Sequence, residues 1–146
     1  MTTNSLGSPR AVMWAGRLLA LLGTGHTIGA LVDTRQFLGD WLTGELWDTN
    51  INLDSPQPIV GAFFVSVASF GVPLIVVGLA ISWIGRQGLV PPPYLAVIIA
   101  AWIIAVDGLG GRPSPLEIGF ISIAILLVAA RRQARQVAVH SEVSAS

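Results

Sequence analysis

The chain has 146 residues, of which 53% are hydrophobic and 11% charged, with a mean hydropathy of +0.71. That is too little charge to coat a water-soluble domain of this length, and it points to a membrane protein. Eight basic residues, all arginine, balance eight acids, and there are two histidines and no cysteine; this excludes a nucleic-acid footprint, a disulfide framework, thiol chemistry and Cys-built metal sites, so no metal or cofactor is expected.

The first ten residues, "MTTNSLGSPR", are small and polar and read as a disordered cytoplasmic tail. A bilayer-crossing helix needs about 20 mostly apolar residues. The first such stretch is "AVMWAGRLLALLGTGHTIGALV", residues 11–32. His26 interrupts it and no small-x-small cleavage site follows, so it is read as a retained span and not a cleaved signal. Gly25 and Gly29 form a G-x-x-x-G pair, and Gly16, Gly23 and Ala30 add a small-residue stripe. In lipid such residues mark close helix–helix contact. Leu19, Leu22, His26, Ala30 and Asp33 share one face, which turns His26 toward a neighbouring helix. Arg17, opposite His26 and near Trp14, is expected to snorkel to headgroups.

The loop that follows, residues 33–57, is long for a compact bundle. Within "QFLGDWLTGELWDT", Phe37, Leu38, Trp41, Leu42 and Leu46 fall near one helical face, although Glu45 and Trp47 break the pattern. The stretch reads equally as an interfacial helix or as a lid over the bundle mouth. The second predicted span is residues 58–84, with Ser66, Ser69 and a kink at Pro73. "GRQGLVPPP" separates it from the third, 93–110, and "GGRPSP" separates that from the fourth, 114–130. In "SPLE", Ser114, Pro115 and Glu117 make a capping box. The expected architecture is an all-α, four-helix membrane bundle over 11–132, with 133–146 as a second cytoplasmic tail. Arg10, Arg86, Arg131, Arg132 and Arg135 fall on one side and only Arg35 and Arg112 on the other, which places both termini in the cytoplasm.

Three ionisable residues reach similar depth in the outer half. His26 lies about 9 Å, Asp107 roughly 7 Å and Glu117 roughly 5 Å from the outer helix ends, by the helical rise. Intramembrane ionisable groups are costly, and a histidine beside carboxylates can relay protons. His26, Asp107 and Glu117 are thus candidate catalytic residues, with Ser66, Ser69, Trp102 and Arg112 as candidate ligand contacts. Each has a plain structural alternative: Glu117 as a cap, Asp107 paired with Arg112, and His26 bonded to a carbonyl across the small-residue contact.

Three segments, "WAGRLLALLGTGHTIGAL", "AFFVSVASFGVPLIVVGL" and "RPSPLEIGFISI", together resemble a family of small bacterial four-helix membrane proteins known as a domain of unknown function. Phe63–Phe64 stands where a Trp is usual in that family. In size and architecture the chain is also similar to the DoxX-like membrane proteins, an analogy of fold only. The family implies a multi-pass protein of the bacterial cytoplasmic membrane and no particular activity. The residues therefore support an accessory, structural or binding protein, pairing with itself or with a membrane partner. The alternative is an enzyme or carrier for an apolar small molecule (isoprenoid, sterol-like or quinone), acting in an outer-half pocket. A proton-coupled transporter is a third reading, for which four helices are few.

Overall fold

The computed structural model describes residues 8–48, 57–110 and 115–145, and the side chains of all of these except 47–48, 106–110, 115–116 and 136–145. Among the described residues the fold is all-helical. The long helices are α1 (Pro9–Asp33), α5 (Gly71–Arg86), α6 (Pro93–Gly110) and α7 (Gly119–Ala145). Shorter ones are α2 (Leu38–Leu42), α3 (Glu45–Asp48) and α4 (Pro58–Val65). Among the described residues only α1 is long and apolar enough to cross a membrane; Gly71–Arg86 and Pro93–Ala105 are shorter apolar helices.

Two sequence expectations are corrected. The stretch 58–84 is not one kinked helix but two, α4 and α5, with turns over 66–70 between them. Ser66 starts the break: its hydroxyl donates to the Ala62 carbonyl at 2.6 Å, which its own amide also reaches at 3.1 Å. Such local bonds compete with continuation of the helix. Pro73 is therefore no kink. It stands in the first turn of α5, where the missing N–H is harmless. In the loop after α1 a 3-10 turn (Arg35–Phe37), α2 and α3 follow in succession, so the stretch expected to be partly helical is broken into short pieces. Gly44 separates the last two at φ 86°, a conformation that suits glycine. The second correction is that helix α7 runs to Ala145, through the segment read as a tail. Nothing in "RRQARQVAV" breaks a helix, and Ala, Arg and Gln favour one.

The chain divides into two compact units: Met1–Ala20 with Val76–Ser146, and Leu21–Ile75. In the first, α6 packs on α7. Ala96, Ile99 and Ile103 are buried on one, and Ser122, Ile123, Leu126 and Ala129 on the other, each set spaced along one helical face. The start of α1 packs closely and antiparallel on the end of α5. A Cβ on Gly16 would strike the backbone of Gly78 and Ser82, one on Gly78 the backbone of Gly16 and Ala20, and one on Gly85 the Met13 amide at 2.6 Å. In the second unit the same helices meet again through Gly23, whose added Cβ would lie 2.5 Å from the Gly71 carbonyl oxygen.

Candidate functional site

The site that the structure builds lies at the break between α4 and α5. The imidazole of His26 stacks on Phe70, with ring centroids 4.0 Å apart and planes 28° from parallel. Beneath it Gly71 leaves room: a Cβ there would come 3.2 Å from His26 Cδ2 and would collide with Thr27 Oγ1. Thr27 is itself held by donating to the Gly23 carbonyl at 2.9 Å. His26 Nε2 is buried and has no hydrogen-bond partner.

Ser66 and Ser69 shape the broken segment. Ser66 is fully buried. Ser69 Oγ donates to the Ser66 carbonyl at 2.7 Å and accepts the Gly71 amide at 3.4 Å, a hydroxyl turn that starts α5. Both serines sit on the second predicted span as expected, but their hydroxyls are committed to the backbone.

Trp41 of α2 docks on α4. Its indole Nε1 donates to the Ile59 carbonyl at 3.3 Å, and its ring meets Phe63 edge-on at 5.8 Å. Its neighbour Leu42 is 89% exposed. The loop after α1 is therefore helical in part and holds against another helix through Trp41.

The small-residue prediction holds for one stripe and fails for the other. A Cβ on Gly16 or Gly23 would strike neighbouring backbone, whereas one on Gly25 or Gly29 would meet nothing within 4 Å. The carbonyl bond expected for His26 across the G-x-x-x-G pair is accordingly replaced by a ring stack.

The remaining candidates, Glu117, Trp102, Asp107 and Arg112, lie in the first compact unit. Glu117 is exposed in a 3-10 turn (Pro115–Ile118) that leads into α7. Trp102 is half-buried on α6. Asp107 falls within α6, but its side chain, with Ser114 and Arg112, lies outside the described residues. Arg17 does approach Trp14, its guanidinium carbon 4.7 Å from the ring centroid, a cation–π contact.

Phe70 and Thr27 are the site residues that the sequence reading missed. The signal for Phe70 was "SFGVP", a serine just ahead of Gly-x-Pro, which is a helix start and not a kink. In comparisons with known proteins the chain matches no family model, no curated protein and no solved structure.

Proposed function

We propose that this chain is a multi-pass protein of the cell membrane, with both termini cytoplasmic, and that it serves as an accessory, structural or binding component. The observation that supports this reading most is the outward face of its helices. Trp14, Leu21, Ile28 and Val32 on α1, Leu79 and Trp83 on α5, and Val97, Ile98 and Ile104 on α6 are all more than half exposed. Only 28% of the most apolar stretch of α1 is buried. A core helix of a soluble protein is covered by its own fold; this one displays its apolar residues, and hydrocarbon is the solvent that suits them. In this reading the outward apolar faces meet lipid and a second membrane protein or a second copy of the chain. Membrane fractionation tests it: the chain is expected in the pellet after alkaline carbonate washing, and recovery in the supernatant overturns it.

One observation favours a second reading, the carrier or enzyme for an apolar small molecule. His26 Nε2 is buried without a partner at a break in a helix. Backbone that leaves the helix at membrane depth is tolerated where protein or a wet cavity covers it. A ligand hydroxyl or carbonyl bonded to Nε2 would satisfy this nitrogen. Mass spectrometry of lipids carried by the purified protein separates the readings: a single apolar compound, lost in His26→Ala, supports the carrier, and bulk phospholipid alone counts against it.

A further inference from the structure

Away from His26, and wholly within the first unit, the start of α1 carries a face that its own fold leaves uncovered. Val12, Ala15 and Leu19 are fully buried, and a Cβ on Gly16 would strike α5, so these residues mark the inward side. At about 100° of turn per residue, Arg10, Trp14 and Arg17 fall within about 60° of one another on the opposite side. Trp14 is 60% exposed, and Arg10 is exposed as well. Arg17 is half-buried, with its guanidinium carbon 4.7 Å from the centroid of the Trp14 ring.

That contact fixes where the charge sits and what it still needs. The ring attracts the cation through its face, while the planar guanidinium has five N–H donors to offer. No carboxylate occurs in the sequence from 1 to 32 or from 55 to 106, stretches that hold this part of α1 and all of α5. The two arginines therefore receive no counter-charge from their own helix or from the one packed on it. Side chains on a helix lean toward its N-terminus, and the head of Arg17 accordingly reaches back over Trp14. In the membrane reading a tryptophan near a helix end lies at headgroup level. The cation over its ring is thus held at the depth of lipid phosphates, and Arg10 stands one turn, about 6 Å, farther out. A free anion would use the arginines and leave the ring idle. A zwitterionic headgroup brings a cation of its own, which both arginines repel. A headgroup with net negative charge suits both arginines, and its glycerol and first acyl carbons suit the ring.

We infer that Arg10, Trp14 and Arg17 form a binding site for an anionic phospholipid. Arg17 holds the phosphate, Arg10 adds the second charge, and the glycerol and first acyl carbons lie against Trp14. This rests on the membrane reading above.

The test uses the full chain in nanodiscs of phosphatidylcholine mixed with phosphatidylglycerol, with bound lipid read by native mass spectrometry. The wild type is expected to retain phosphatidylglycerol about tenfold over phosphatidylcholine, and Arg10→Gln/Arg17→Gln to lose most of that preference. Trp14→Leu keeps both charges and an apolar side chain but removes the ring, and is expected to lower the preference about threefold. Arg131→Gln/Arg135→Gln removes two exposed charges from α7 and is expected to leave it unchanged. Circular dichroism confirms equal helix content in each variant. No preference in the wild type overturns the inference. So does a loss in Arg131→Gln/Arg135→Gln as large as in Arg10→Gln/Arg17→Gln, since that is diffuse surface attraction. A full preference in Trp14→Leu overturns it too, because the ring then seats nothing. Displacement of the lipid by millimolar inorganic phosphate marks a free-phosphate site and also overturns it. Failure of the membrane reading is seen separately, as release of the chain by carbonate.

Discussion

The plane of the His26 ring is fixed by Phe70 on one side and by the bare backbone of Gly71 below, while its Nε2 has no partner. A buried, unbonded polar atom costs about 1–3 kcal/mol, and a stacked aromatic pair contributes about 0.5–1.5 kcal/mol. His26→Phe removes the first and keeps the second, so its thermal midpoint in detergent is expected to equal or exceed that of the wild type. His26→Ala should lower it. A fall in His26→Phe as large as in His26→Ala would show that Nε2 holds a polar ligand after all. Ser122 poses the same question on α7, because its buried Oγ is also unpaired. Ser122→Ala is expected to leave stability unchanged or raise it by about 1 kcal/mol, as read from denaturant or thermal unfolding. At this scale the sequence showed that His26 faces protein, because small residues and apolar spacing surround it. It hid the partner, because Phe70 lies in a break that hydropathy alone reads as continuous helix.

Between elements, the α1·α5 contact depends on having no side chain at Gly16 and Gly78. A methyl at either meets backbone, which cannot rotate away, so Gly16→Ala and Gly78→Ala are each expected to cost about 1–3 kcal/mol. Gly25→Ala is the matched control. It has open space and should be neutral or gain up to about 1 kcal/mol from helix propensity. If all three behave alike in thermal unfolding, the close contact is not where the structure places it. Element bounds were legible wherever punctuation was strong. Residues 93–110 were expected as a helix and α6 occupies Pro93–Gly110, because a run of prolines opens it. The 58–84 stretch failed for the opposite reason: its break is made by serine hydroxyls bonding locally, which apolar content conceals. For α7 the sequence marked where polarity begins, at Arg131, but a helix continues through polar residues when nothing stops it.

For the molecule, apolar surface that faces outward is the property with the widest reach. Composition alone announced it, and the helix faces show where it lies. The absence of cysteine makes topology directly measurable. A single cysteine at Thr43, an exposed position after α2, is expected to react with a membrane-impermeant maleimide on intact cells. One at Gln87, exposed after α5, is expected to react only after permeabilisation. The reverse pattern would invert the orientation inferred from arginine bias. Neither composition nor hydropathy could supply the pairing of helices, because that is set by which glycines touch. The sequence offered both Gly25 with Gly29 and Gly16 with Gly23, and a Cβ would meet close backbone only at the second pair.

The glycine contacts also bear on how the gene can vary. Every amino acid reachable from a glycine codon by a single base change carries a Cβ. At Gly16, Gly23, Gly71, Gly78 and Gly85 that atom meets backbone or a neighbouring side chain. Selection has almost no neutral step available at these positions, while Gly25 and Gly29 can drift. Descendants of this sequence should therefore keep the first five glycines long after its outward-facing valines, leucines and isoleucines have exchanged freely.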